Sequence, residues 1–509
     1  MKTKCHRFAV IWPWIGLPGH AHLLLTELLN GADLNQATVL DDVTITGLTA
    51  DSRSVRPGYL FAAIPGTQLD GRDYIDAAVR AGAAAVLAPP DVTEERVSPG
   101  ISLITADNPR RSLARMAAAF YGNKPETITA VTGTNGKTSV VSFARQIWNA
   151  MGQKAASLGT LGLVGPGLET SGGLTTPDAV ELHRQLNDMG EAGFQSVALE
   201  ASSHGLDQFR LEGVSIRAAA FTNLTRDHLD YHGSMKEYRA AKMRLFHDLL
   251  IPGGAMVVNA ETPEYPALLH LARERGFELL SYGLAKGDIK CRTMEPTEDG
   301  WQLVLDVLGT EHAVTFPLMG SFQIENALAA LGLVIACGGE YAKACAALEV
   351  LEGVPGRMET VSRLPSGARI IVDYAHTPDA LQTVLAAVRP HVGRRLTVVF
   401  GCGGDRDKGK RPEMGAVAAE LSDGVVVTDD NPRHEDPGTI RKEISAACPG
   451  CVEVAGRYDA IRVATSELSE GDILIVAGKG HETGQVVGDE VIPFSDTEVV
   501  RKCVFEVAR

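Results

Sequence analysis

"TITAVTGTNGKTSVVSFARQIWNAMG", residues 127 to 152, is the stretch from which the fold can be read. TITAV is a short apolar run, TGTNGK a glycine loop, and TSVVSFARQIWNAMG carries apolar residues at helical spacing. Val140, Ala144, Ile147, Trp148 and Met151 share one face of a 3.6-residue period, and Gly152 supplies a stop. A strand, a glycine turn and a helix in that order are the setting of a phosphate loop. Backbone N–H groups and the helix N-terminus cradle phosphate there, Lys137 neutralises it, and the Thr138 hydroxyl holds Mg²⁺. The loop Gly133-Thr134-Asn135-Gly136-Lys137-Thr138-Ser139 is shorter by two residues than the usual form, which has glycine where this chain has Val131. The plainer alternative is an ordinary glycine turn.

The same alternation extends both ways. Residues 38 to about 122 alternate short strands (TVLDDVTITGLTADS, YLFAAI, AAVLA) with one helix, YIDAAVRAG. Beyond Thr127, βα alternation continues through SVALEA, AAAFTNL and GGAMVVNA to about Glu352. A third block opens at RIIVDYAHTPDALQTVLAAV and repeats strand, loop and helix through to ILIVAGKGHETG. Such alternation predicts an α/β protein of mainly parallel, doubly wound sheets, with its sites on the loops leaving the strands. The expected domains are an N-terminal extension and lead-in (1–37), a first domain (38–122), a central P-loop ATPase-like domain (123–352) and a Rossmann-like C-terminal domain (353–509).

The chain has 509 residues, 45% hydrophobic and 22% charged, with a net charge of -15. That sign argues against a nucleic-acid binder, which needs a basic face. Eight cysteines in this length make no disulfide framework and suit a reducing cytoplasm. Cys448-Pro449-Gly450-Cys451 matches C-x-x-C, but no second pair completes a zinc site, so a turn with two incidental thiols is expected. No apolar run reaches the roughly 18 residues of a membrane span. Residues 1–21 imitate a signal peptide, with Lys2, Lys4 and Arg7 ahead of an apolar stretch, but Pro13 and Pro18 interrupt it. A start site placed too far upstream is the expected explanation, and the protein is expected to be cytoplasmic.

A second stretch, VVVTDDNPRHEDP (425–437), places Asp430, Asn431, Pro432 and Arg433 just after an apolar strand. Ligands of open α/β sheets bind at that edge.

The phosphate loop TGTNGKTS resembles that of the Mur ligases, ATP-dependent amino-acid ligases of peptidoglycan precursor synthesis, and of their folylpolyglutamate synthetase relatives. LEASSHGLDQFR, FTNLTRDHLDYHGSMKEYRAAK, GVPGRME, DYAHTPDAL, GGDRDKGKRPEM, DDNPR and GKGHE follow in the family's order, with TADSR and LFAAIPG near the front. The resemblance runs from about residue 38 to the C-terminus. It implies that a carboxylate attacks the ATP γ-phosphate and that an amine displaces the resulting acyl phosphate, with cations gathered around the developing charge.

By that resemblance, Lys137, Glu200, His228, Lys242 and Arg357 are the catalytic residues. Thr138 and Glu200 would hold one Mg²⁺; His228 and Lys242, the lysine carboxylated by CO₂, would serve a second. Without the resemblance, Lys242 reads as a solvated helix residue and His228 as a core or loop histidine. Gly133 to Ser139, Asn326, Arg357 and Asp373 would bind ATP; Gln323 stands where relatives often have Asn. Ser52, Thr67 and Gln68 would hold the uridine end of a UDP-muramoyl-dipeptide, and Thr175, Thr176, Ser202, Gln208 and Arg210 its other end. Leu174 stands where relatives can carry Asn. Arg406, Asp430, Asn431, Pro432, Arg433, Gly478 and Glu482 would bind the amino acid.

DNPR versions of the family take meso-diaminopimelate, and lysine-adding versions lack the arginine. Arg433 offers a planar fork for the second α-carboxylate. The expected function is therefore addition of meso-diaminopimelate to UDP-N-acetylmuramoyl-L-alanyl-D-glutamate, by a monomer with small-molecule partners and neither nucleic acid nor membrane. The rivals are the L-lysine-adding ligase and a nucleotide-binding scaffold without chemistry.

Overall fold

A computed structural model describes residues 22–39, 43–66, 69–170 and 173–507. The signal-like segment 1–21 and the predicted uridine contacts Thr67 and Gln68 lie outside the described residues. The chain divides into two compact units. The first takes residues up to Lys124 with Ala179–Asp188 and Gln208–Gly213; the second takes the rest from Pro125 onward.

The first unit is built on a five-stranded sheet in the order Gln36–Thr38, Ser102–Thr105, Ala85–Ala88, Tyr59–Ala62, Gly47–Thr49, parallel except at the first strand. Successive strand residues face opposite cores. Leu60, Ala62, Leu87 and Ile104 enter one, and Phe61, Val86, Ala88 and Leu103 the other. Burial on both faces is why these strands read as unbroken apolar runs. Two expectations are corrected here. TVLDDVTITGLTADS is not one strand but holds Thr44–Ile45 and Gly47–Thr49 as separate pieces. A further, longer helix, Pro109–Phe120, accompanies the expected one, which spans Ile75–Arg80. Its start signal was legible: the Asn108 side chain accepts from Arg111 N at 3.1 Å, and Pro109 occupies the first turn.

In the second unit, six parallel strands lie side by side: Ala155–Gly159, Ser196–Glu200, Thr127–Thr132, Ile216–Phe221, Leu250–Asn259 and Glu278–Gly283. The helix Lys137–Ala150 buries Val140, Ala144, Ile147 and Trp148 in one core with Leu328 and Leu331 of the helix Ser321–Ala336. Met151 packs at the edge of that core, and Gly152 ends the helix at φ 86°.

The expected βα alternation fails after residue 283. Ile289–Pro296, Trp301–Val307 and Thr310–Phe316 form an antiparallel meander on the same sheet. Val307 pairs with Thr310 across Leu308 and Gly309, both at positive φ (53° and 87°), the two-residue turn that suits the twist of a hairpin. Trp301, Leu303, Leu305 and Val307 face inward at period two.

A further six-stranded sheet has the order Glu359–Arg363, Arg369–Asp373, Ile473–Ala477, Leu396–Phe400, Gly424–Val427, Val452–Glu453, with only the first pair antiparallel. Ile371, Val398, Phe400, Val427 and Ile475 face the helices Pro378–Val388, Lys410–Leu421 and Pro437–Ser445. Ile370, Val372, Val399, Val426 and Val476 face Arg457–Ser466 and Asp496–Val507. This sheet is doubly wound. The loops after Asp373, Phe400, Val427 and Ala477 gather at its carboxyl edge. Cys448 and Cys451 sit in a turn closed by Cys451 N to Cys448 O at 3.2 Å, and both thiols are free.

Candidate active site

The glycine loop sits between the strand Thr127–Thr132 and the helix Lys137–Ala150. Gly133 (φ 148°) and Gly136 (φ 88°) are required by shape as well as by backbone angle. A Cβ on the first would overlap Thr222 Oγ1, and one on the second would overlap Asn326 Oδ1. Thr222 Oγ1 donates to Asn135 O at 2.6 Å and Asn135 N to Asn223 Oδ1 at 2.9 Å, so the next strand's loop fixes this one. Thr134 Oγ1 donates to Thr225 O at 3.2 Å and lies as close to the Tyr238 hydroxyl.

Lys137 curls over the loop, donating from Nζ to Gly133 O at 2.9 Å and Thr134 O at 2.8 Å. Burial lowers its pKa, while Glu200 and Asp227 pull the other way. Lys242, from the helix Met235–Arg244, is fully buried, donates to the same Gly133 O at 2.7 Å and lies 4.3 Å from the Tyr238 ring centre. Desolvation, reinforced by Lys137, holds its pKa well below the usual lysine range.

Glu200 ends its strand buried, a placement that Gly159 permits, since a Cβ there would overlap the carboxylate. It accepts from Thr138 Oγ1 at 3.1 Å, Thr160 N at 2.8 Å and Thr160 Oγ1 at 3.2 Å. Thr176 Oγ1 donates to the Glu200 carbonyl at 2.7 Å and lies 3.0 Å from Ser202 Oγ, while Thr175 and Thr160 hydroxyls meet at 3.1 Å. His228, at φ 53°, starts the short helix Leu229–His232; its Nε2 is 3.4 Å from Asp227 Oδ2, and burial lowers its pKa.

Lys137, Thr138, Glu200, His228 and Lys242 line one cavity of about 200 Å³, together with Ser139, Thr175, Ser202 and Arg357. Arg357 stacks on the Tyr374 ring at 4.3 Å, and its buried Nε has no hydrogen-bond partner. A desolvated guanidinium N–H without an acceptor, beside a lysine and a row of loop N–H groups, fits an anionic ligand. Glu200 and the Thr138 hydroxyl offer the hard oxygen donors that Mg²⁺ takes. Asp373, whose pKa is raised by burial, accepts from Met358 N and Ala375 N, both at 2.7 Å, and so fixes the segments carrying Arg357 and Tyr374. Asn326 donates to Gln323 Oε1 at 3.1 Å beside Gly136. Asp227, Tyr238, Tyr374, His376 and Thr160 also line the cavity and were not singled out from the sequence, although each except Thr160 lies within a motif quoted above.

A second cluster stands at the carboxyl edge of the six-stranded sheet. Asp430 and Asn431 are buried there. Asn431 Nδ2 donates to Glu482 Oε2 at 3.0 Å. Gly478 (φ 116°) lets the chain pass Asp430, whose Oδ2 would stand 2.6 Å from a Cβ. Arg433, at φ 50°, is half-buried and gives one Nη1 hydrogen to Gly404 O at 2.7 Å. Arg406 is exposed, 3.9 Å from Asp230. Pro432 is buried in the same loop.

In the first unit, Ser52 opens the turn Ser52–Ser54, whose Asp51 side chain accepts from Arg53 N at 2.9 Å. Arg210 donates to Gln208 Oε1 at 2.7 Å. Asp-Asn-Pro-Arg also occurs at 107–110, where it caps a helix and Arg110 donates to Pro65 O at 2.8 Å.

Three family models match the chain: the Mur ligase catalytic domain over residues 44–121, the Mur ligase middle domain over 131–334, and the Mur ligase glutamate ligase domain over 356–480. A UDP-N-acetylmuramoyl-L-alanyl-D-glutamate–2,6-diaminopimelate ligase of Caulobacter vibrioides is 51% identical over 472 residues, 91% of this chain and 96% of the relative. The protein of that name from Bradyrhizobium diazoefficiens is 50% identical over 463 residues, 90% and 94% of the two chains. A solved structure of a ligase with the same name is 32% identical with a TM-score of 0.72, covering 96% of this chain and 99% of that one. The chain belongs to the Mur ligase family.

Proposed function

We propose that the chain is an ATP-dependent, ADP-forming ligase that joins meso-2,6-diaminopimelate to the D-Glu γ-carboxyl of UDP-N-acetylmuramoyl-L-alanyl-D-glutamate, a step of peptidoglycan precursor synthesis. The observation that carries this reading is Arg357, its buried Nε unpartnered, lining the same cavity as Lys137 and Glu200, in a chain about half identical to ligases of that name. The glycine-loop amides, Lys137 and Arg357 bind the triphosphate, and Asn326 and Asp373 stand at its adenosine end. The γ-carboxylate oxygen attacks the γ-phosphorus as the bond to the β-phosphate oxygen breaks and ADP departs. The amine then attacks the acyl carbon, inorganic phosphate leaves, and the amine proton passes to solvent. Lys137 and Arg357 meet the charge that spreads over the phosphoryl oxygens.

Thr138, Glu200, His228 and Lys242 are proposed to hold Mg²⁺, which would neutralise charge between the phosphates and the carboxylate. Among the described residues no cluster of three acidic, histidine or cysteine side chains exists to hold a metal. The crowding of Lys137 and Lys242 on Gly133 O supports Lys242 acting as a CO₂-derived carbamate, since a carbamate removes one of the two cations and adds oxygen donors.

Ser52, Thr67, Gln68, Thr175, Thr176, Ser202, Gln208 and Arg210 are assigned to the UDP-linked dipeptide. Arg406, Asp430, Asn431, Pro432, Arg433, Gly478 and Glu482 are assigned to the amino acid. Division near residues 122 and 353 into three domains after the lead-in belongs to the same reading, supported by three separate large sheets. The same reading takes the protein as a monomer. Its substrates place it in the cytoplasm, and no helix among the described residues is long and apolar enough to cross a membrane. Phosphate release with the UDP-dipeptide and a panel of diamino acids tests the assignment. Release with L-lysine as fast as with meso-diaminopimelate would overturn the substrate, and release without any amine would overturn the ligase.

A further inference from the structure

The loop Gly478-Lys479-Gly480-His481-Glu482 carries a lysine between two residues assigned to the amino acid, Gly478 and Glu482. Lys479 is wholly buried, at 0% exposure. Its Nζ donates to Asn431 Oδ1 at 3.0 Å and to Glu482 Oε2 at 2.8 Å. Asn431 Oδ1 accepts a second hydrogen bond from Val486 N at 2.9 Å. An ammonium and a backbone N–H can only donate, so the amide oxygen must face them both. The Asn431 NH₂ is thereby turned toward Glu482 Oε2, which can accept. A flipped amide would set two donors against its own hydrogens. Lys479 thus joins the Val486 N–H in holding Asn431 in this orientation and ties it to Glu482.

We infer that Lys479 is a positioning residue of the amino-acid subsite, aligning Asn431 and Glu482 without touching the ligand. It engages one Glu482 oxygen, already shared with Asn431, and leaves Oε1 for an ammonium of the incoming amino acid. One Asn431 N–H is likewise left for a carboxylate. The pair Lys479–Glu482 is neutral as a unit, so the buried Lys479 ammonium leaves no unpaired charge inside the fold. Complete burial keeps Lys479 from meeting the ligand itself. The inference rests on reading this cluster as the amino-acid subsite.

The backbone of the same loop has a separate duty. Gly480, at φ 52°, lies against the segment bearing Arg357, where a Cβ would stand 2.7 Å from Gly356 O and 2.8 Å from Tyr374 Cβ. Those contacts involve no Lys479 side-chain atom, so changing that side chain spares the nucleotide side. This separates positioning from general damage.

The test is steady-state phosphate release by the full-length protein with ATP, UDP-dipeptide and meso-diaminopimelate. Lys479→Met should raise KM for the amino acid about 10- to 150-fold, the range of one lost charge-assisted hydrogen bond. KM for ATP and for the UDP-dipeptide should stay within about twofold of wild type, as should kcat. A merely structural role would instead lower kcat through a smaller active fraction. Should Lys479→Met not fold, Lys479→Gln keeps a donor without the charge and should show the same selective rise. An amino-acid KM within twofold of wild type in the folded variant, or an equal rise in all three KM values, overturns the inference. If wild type turns over only with another amino acid, the substrate reading fails, and the Lys479 effect is then read on that amino acid's KM.

Discussion

Arg433→Ala puts the proposed choice of amino acid to a quantitative test. Arg433 has five N–H donors, and one is committed to Gly404 O at 2.7 Å. That anchor fixes the plane of the guanidinium and leaves the rest of the fork for the carboxylate that distinguishes diaminopimelate from lysine. A hydrogen bond to a charged group is worth about 1.5–3 kcal/mol, so removing the fork should raise KM for meso-diaminopimelate about 10- to 150-fold. KM for ATP and the UDP-dipeptide should hold steady, because neither substrate is assigned to this loop. The backbone needs its own control, since φ 50° is unfavourable for any residue with a Cβ. Arg433→Gly removes that strain together with the fork, so it should be at least as stable as Arg433→Ala and equally poor with diaminopimelate. The assay is phosphate release with both amino acids, alongside thermal midpoints of the two variants. Wild-type use of lysine equal to diaminopimelate, or an unchanged KM in Arg433→Ala, would refute the role given to the fork.

Lys137→Ala should abolish turnover while the circular dichroism spectrum is unchanged, and near-normal turnover in that folded variant would contradict the phosphate-loop reading. Gly136→Ala must displace Asn326 and should lose ATP affinity, whereas Gly152→Ala, at a similar φ but with no atom within 4 Å, should keep wild-type turnover at a cost of about 1 kcal/mol in stability; the two are compared by nucleotide titration and melting. Lys242→Ala should be nearly inactive and partly restored by short carboxylic acids, and electron density for an unmodified amine beside a filled metal site would dismiss the carbamate. Hydrogen bonds from Arg411 hold the Glu435 carboxyl down to about 2. Its stabilising contribution is therefore complete above the ordinary carboxylate range and is lost as pH falls through about 2; a Glu435→Gln variant should melt with a flatter acid limb, and an identical limb would count against the pairing.

Much of the phosphate loop was legible because strand, glycine and helix signals are local. Apolar spacing gave the helix Lys137–Ala150, and the family's loops gave residues such as Glu200 and Lys242, which come to the cavity from distant strands and helices. The meander after residue 283 is hard to see in the sequence because its strands follow a run of βα units on the same sheet, although its hairpin turns on Leu308 and Gly309. The tetrapeptide Asp-Asn-Pro-Arg shows the limit of local reading. At 107–110 it caps a helix, and at 430–433 it leaves a strand with Arg433 in a left-handed conformation. The letters are the same, and the sheet edge makes the difference. Lys479 was invisible for a related reason: its burial and its partner Asn431 arise from packing across 48 residues of sequence.

The placement of Lys137 between Gly133 O and Thr134 O bears on hydration. An ammonium lodged there gives up part of its water shell when the chain folds, so that share of the loss belongs to the folding equilibrium rather than to nucleotide capture. A charge partly covered in this way also recruits a thinner ionic atmosphere and has fewer ions to expel when an anion arrives. Nucleotide affinity should therefore vary less with ionic strength than the number of cations around the cavity would imply.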